Sequence, residues 1–124
     1  IWGIDTYGSV YKKFHETRIF DKEEVYPYLT EGIGEDIIPK NVNFDIIDHF
    51  EKVSDRDAAF MTRKLATEEG IFAGNSCGAA IAGALQMESQ IKSTDVVVII
   101  LPDHGSRYVG KVYNDDWMKK NNFL

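Results

Sequence analysis

The chain has 124 residues, 44% hydrophobic and 27% charged, the balance of one globular domain with a modest core. Its net charge is −6 and no basic cluster exceeds a Lys-Lys pair, which argues against nucleic acid and anionic membrane as partners. The longest apolar run, Val96 to Leu101, is far too short to span a bilayer, no signal-peptide pattern is present, and one cysteine cannot close an intramolecular disulfide, so a cytosolic protein is expected.

Residues 1–5 read as a buried strand ending in an acidic turn, with Gly8-Ser9 as the loop that follows. So abrupt a start suggests a piece cut from a longer protein. Residues 9–29 are rich in Lys, Glu and Tyr without a sustained period and contain Pro27, which predicts an excursion. Thr30-Glu31-Gly32-Ile33-Gly34 then sets two glycines around an aliphatic residue, ahead of Ile37-Ile38-Pro39. Such spacing serves a turn, or a backbone that passes close to a bound ring. Asp45 to Val53 is apolar enough for a second strand.

Ser54-Asp55-Arg56-Asp57 has the form of a capping box, with Asp in place of Glu. Ala58, Met61, Leu65 and Ala66 recur at helical spacing, and Gly70 stops the helix. A second helix is predicted over 76–91, with Ala79, Ala80, Ala82, Gly83 and Ala84 small on nearly every face, built to pack against other backbone. After the turn Ser93-Thr94-Asp95, the β-branched run Val96–Leu101 has the mark of a central parallel strand covered on both faces. Pro102-Asp103-His104-Gly105 follows at its C-terminal end, where open α/β sheets place their ligands. A last helical stretch runs from about Arg107.

The turn into the second helix is the focus. Gly74 and Gly78 bracket Ser76, so its hydroxyl and the following N–H groups can approach a ligand. A helix N-terminus carries unpaired donors and partial positive charge. The same pattern also describes a capped, buried helix after a tight turn.

Three segments together resemble the C-terminal half of the catalytic core of fold-type-II pyridoxal-phosphate enzymes, nearest the cystathionine β-synthase and cysteine synthase family. They are Glu31-Gly32-Ile33-Gly34 with Ile38-Pro39, Glu68 through Ala80, and Val98 through Tyr108. The ending Asn114-Asp115-Asp116-Trp117-Met118 with Phe123-Leu124 is similar to cystathionine β-synthases. The resemblance implies an α/β, three-layer domain with a mostly parallel sheet, of which residues 1–124 form the C-terminal part. It implies pyridoxal 5'-phosphate as cofactor and β-replacement of serine, or an activated serine, by a thiol. Cysteine synthesis from O-acetylserine and sulfide is the alternative.

In that family the serine matching Ser76 hydrogen-bonds the pyridine nitrogen, a contact a hydroxyl makes without protonating the ring. Gly32 and Gly34 correspond to the loop beside the cofactor face, and a side chain at Gly34 is expected to project toward the ring. Pro102 and Asp103 correspond to the strand end near it, in supporting roles. The Schiff-base lysine and phosphate loop would lie before Ile1, so no lysine here is nominated. The expected partners are that N-terminal half, amino-acid and thiol substrates, and further copies in a homo-oligomer. Two positions depart from the family: Glu35 stands where cystathionine β-synthases carry an aromatic residue, and Cys77 stands where a small residue is usual.

Two rival readings come from other classes. Cys77 at a helix N-terminus could serve as a nucleophile with His15, His49 or His104, or join them at zinc, though no local signature supports either. A non-catalytic module that binds an anion or a regulator through the Ser76 turn is the other.

Overall fold

The computed structural model describes residues 1–124. Strand β1 (Trp2–Thr6) pairs in parallel with β2 (His49–Val53), in a register running from Trp2 opposite His49 to Thr6 opposite Val53. The two faces of this pair bury different chemistry, as the period of two in a strand requires. On one face the Phe50 ring lies over Gly3, where a Cβ would sit 2.4 Å from it. Phe50 also stacks at tilted or edge-on angles with Tyr11, His15 and Phe44. On the other face Ile4 and Val53 pack against Ala58, Ala79 and Ala82. Helices therefore cover both faces of a parallel α/β unit.

Helix α1 (Tyr11–Thr17) occupies part of the stretch expected to be an excursion. Its signal is not local. Val10 at the N-cap position offers no side-chain acceptor, and the free N–H groups of Tyr11 and Lys12 go instead to Ser9 Oγ (3.3 Å) and Asp5 Oδ2 (2.9 Å). The carboxylate that starts this helix thus comes from the preceding strand.

Helix α2 (Asp55–Glu69) follows the predicted grammar. Ser54 Oγ accepts from the Asp57 N–H at 3.1 Å and donates to the Asp57 carboxylate at 2.6 Å. Gly70 closes the helix in the left-handed region at φ 69°. Helix α3 (Asn75–Gln86) crosses α2 closely enough that a Cβ on Gly78 would lie 2.1 Å from Thr62 Oγ1 and 2.4 Å from the Ala58 carbonyl. Gly83 makes the same allowance for Ile4. The predicted second helix is shorter than 76–91, since residues Glu88–Gln90 form a separate 3₁₀ turn. The helix expected from Arg107 is a 3₁₀ turn over Gly105–Tyr108. Helix α4 (Asp115–Lys120), capped by Asn114, begins only later. Ala59, Tyr108, Val112 and Met118 bury this end of the chain against α2.

One expectation is corrected. Val96–Leu101 joins no sheet, since the only ladder pairs β1 with β2. Its exposure alternates as in a strand: Val96, Val98 and Ile100 are 91%, 78% and 73% exposed, Val97 and Ile99 only 48% and 37%. A strand is defined by neighbours that accept its backbone groups, and none stands beside this run.

Candidate cofactor-facing site

The polar groups around the Ser76 turn form one network. The Asp55 carboxylate accepts from the N–H groups of Leu29 and Thr30 (both 2.8 Å) and from the Thr30 hydroxyl (2.6 Å). Thr30 Oγ1 in turn accepts from Asn75 Nδ2 at 3.5 Å, and Thr62 Oγ1 donates toward Asn75 Oδ1 at 3.3 Å. The loop through Gly32 is thereby tied to the first turns of both α2 and α3. Thr30, Asp55, Thr62 and Asn75 escaped the sequence reading. Only the aspartate at the start of α2 hinted at a role, and it resembled ordinary capping.

Within this network Ser76 is the exception. It is 7% exposed, yet its hydroxyl makes no hydrogen bond within the chain. It opens onto a cavity of about 860 Å³ between β1 and the Thr94–Pro102 segment. Gly74, at the N-cap position of α3, adds no side-chain cap, so the first donors of the helix also remain available. Gly32 stands beside the hydroxyl at φ +79°, where a Cβ would lie 3.5 Å from Ser76 Oγ. Ile33 and Pro102 complete that end of the cavity, while Ala80, Ala84 and Met87 form its floor.

Of the residues nominated from sequence, the structure brings Ser76, Gly32 and Pro102 together on this wall. Gly34 and Asp103 lie elsewhere. A Cβ on Gly34 would meet Ser9 Cβ at 2.6 Å and Thr6 Cγ2 at 3.0 Å, so a side chain there points into the β1–α1 connection, contrary to the expected direction. The loop turns over between its two glycines, both left-handed, and only the first faces the cavity.

Asp103 is turned beneath the Ser76 turn. Its carbonyl accepts from Gly74 N–H (3.2 Å), and its carboxylate accepts from the Tyr108 hydroxyl (2.7 Å). A Cβ on Gly74 would collide with Oδ1 at 1.9 Å, so the glycine before Ser76 serves this close approach. Burial, then the bond to Asp103, holds the Tyr108 phenol well above its ordinary pKa. Tyr108 therefore stays a neutral donor that fixes Asp103. Cys77 is fully buried and its thiol approaches Asp103 rather than any histidine. Burial pushes its pKa up, the opposite of what a nucleophile needs.

The comparisons with known proteins agree with this geometry. The family described as "Pyridoxal-phosphate dependent enzyme" matches residues 1–103. Cystathionine beta-synthase of Dictyostelium discoideum is 34% identical over 122 residues, 98% of this chain and 24% of the relative. The enzyme of that name from Oryctolagus cuniculus is 34% identical over 124 residues, 100% of this chain and 22% of the relative. The crystal structure of an O-acetylserine dependent cystathionine beta-synthase from Helicobacter pylori superposes with a TM-score of 0.72 at 33% identity, over 91% of this chain and 34% of that one. The chain thus spans about a quarter of the length of the curated relatives it matches. No helix is long and apolar enough to cross a membrane. With a match that covers residues 1–103 and a parallel α/β unit that superposes on one of its solved enzymes, the chain belongs to the pyridoxal-phosphate-dependent enzyme family.

Proposed function

We propose that residues 1–124 are the C-terminal part of the catalytic core of a β-replacement enzyme that joins serine, or an activated serine, to a thiol. The carrying observation is the Ser76 hydroxyl, on a buried residue, open to the cavity, without a partner in the chain, and flanked by the side-chain-free Gly32. A polar ring atom fits such a donor, and the room a Cβ at Gly32 would fill suits a flat ring. When bound, pyridoxal phosphate supplies an electron sink for loss of the substrate's β-substituent.

This chain's own residues then have defined work. Ser76 donates to the ring nitrogen without transferring a proton, since a hydroxyl is a far weaker acid than a carboxyl. Gly32 keeps the ring face clear, and Pro102 walls it. Asp103 and Tyr108 hold the turn that aims Ser76, and the Asp55–Thr30–Asn75 network holds the loop opposite.

The rest of the cavity has a second meaning in this reading. It runs between the outer edge of β1 and the apolar Val96–Ile100 run, neither of which has a sheet neighbour on that side. It is the berth for the N-terminal half of the core, which carries the Schiff-base lysine and phosphate loop. The assembled enzyme is a homo-oligomer in the cytosol. Relatives named cystathionine beta-synthase favour a homocysteine-type acceptor over cysteine synthesis from sulfide.

The test is a substrate screen on the full-length enzyme, with serine and O-acetylserine each offered homocysteine and sulfide. Thioether formation with homocysteine is expected. Turnover of sulfide alone would move the assignment to cysteine synthase, and no turnover of any pair would leave a non-catalytic module.

A further inference from the structure

The peptide unit between Ala73 and Gly74 leads into the turn that carries Ser76, and it is gripped at both ends. Gly74 N–H donates to the Asp103 carbonyl at 3.2 Å, and the Ala73 carbonyl accepts from the Tyr113 hydroxyl at 2.7 Å. One residue earlier, the Phe72 carbonyl accepts from Gly105 N–H at 3.0 Å. Gly74, the N-cap residue of α3, has no Cβ to restrict its dihedrals. The direction in which the helix leaves it is therefore set by what holds this peptide.

Tyr113 is placed for the task by contacts that do not use its hydroxyl. Its ring stands 4.7 Å from that of Phe72 and rests on the cluster of Ala59, Tyr108, Val112 and Met118. The N–H groups of Lys111 and Tyr113 both donate to the Tyr108 carbonyl, at 3.0 and 3.2 Å, which closes a tight turn. Arg63 Nε anchors that turn to α2 by donating to the Val112 carbonyl at 2.5 Å. Within the same turn Lys111 pairs with Glu31, the residue before Gly32. Residues 108–113 thus reach both sides of the space between Gly32 and Ser76.

We propose that Tyr113 is a positioning residue for the Ser76 hydroxyl: its bond to the Ala73 carbonyl fixes where that hydroxyl stands, and so how the cofactor ring is held. The inference rests on the reading of Ser76 as the ring's polar partner. Tyr113 does not line the cavity and acts through the turn alone.

The experiment is a double-mutant cycle in the full-length enzyme, with Tyr113→Phe, Ser76→Ala and the two combined. Cofactor affinity is read by equilibrium titration, the orientation of the bound ring by its induced circular dichroism, and folding by the Tm of the cofactor-free enzyme. Tyr113→Phe keeps the packed ring and removes only the hydrogen bond, so affinity is expected to fall about fivefold, with an altered dichroism band. In the Ser76→Ala background the same substitution should change affinity by less than about twofold, since the group that Tyr113 positions is gone. Unchanged affinity in Tyr113→Phe, whatever its Tm, overturns the inference and leaves a packing role. A loss that persists undiminished in the Ser76→Ala background overturns it as well, while the reading of Ser76 stands. Ser76→Ala with the affinity of the unsubstituted enzyme overturns the reading of Ser76 and this inference with it.

Discussion

Helix α3 and the Val96–Leu101 run are both free of charged residues, and they meet opposite environments. Asn75 to Ala79 is buried throughout, whereas Val96, Val98 and Ile100 face solvent. Apolar composition is common to both, so it does not explain the difference. Helix α3 carries its hydrogen bonds within itself and needs only a neighbour close enough to cover it, which α2 becomes through Gly78. A strand needs neighbours to complete its backbone bonds as well as its burial, and those come from elsewhere in the sequence.

The comparison breaks hardest at Gly78. Gly78→Val drives a side chain into Thr62 and the Ala58 carbonyl, and should cost about 3 kcal/mol in denaturant unfolding. Next is Gly34→Val, which combines a left-handed φ of +69° with a 2.6 Å approach to Ser9, for a loss of about 2 kcal/mol. That loss should appear in thermal stability, with or without cofactor. A variant that loses cofactor affinity while keeping its Tm would mean that Gly34 faces the ring after all.

The pH profile tests the β1–α1 face. Burial, then the Glu35 and Asp5 charges, push the Tyr11 phenol up to about 12. An unfolded phenol ionises near 10, so between these values the unfolded chain sheds its proton first. The contribution is fully present below about pH 10 and is lost as pH rises toward about 12. Tyr11→Phe should make that alkaline decline shallower in unfolding measured across this range, and an unchanged slope would remove Tyr11 as its source.

Ser76→Ala discriminates the site from its scaffold. No internal hydrogen bond is lost, so stability should hold, while cofactor affinity of the full-length enzyme falls by about 1 kcal/mol, or about fivefold, in equilibrium titration. Val98→Lys should be similarly mild for stability. At 78% exposure it should shift unfolding by no more than about 0.5 kcal/mol, yet reduce self-association of the 124-residue chain in sedimentation. A large loss of stability would show that the outer face of this run is covered in solution.

Much of this architecture was legible residue by residue. The Ser54 cap, the Gly70 stop and the small-residue character of α3 are decided within about four residues of chain, because helix hydrogen bonds and caps span no more than that. The glycines of Gly74-Asn75-Ser76-Cys77-Gly78 were expected to clear the way for a ligand, and in the structure they instead let Asp103 and Thr62 come close. What the tertiary structure alone decided depends on groups distant in sequence. Helix α1 is started by a carboxylate six residues ahead of Tyr11, Asn75 is held by Thr30, and the two glycines of one loop face opposite ways according to what packs beside each. The Val96–Leu101 run is the clearest case. Its alternation is inherent in its residues, but its exposure depends on which backbone stands next to it, and that is a property of the assembled sheet.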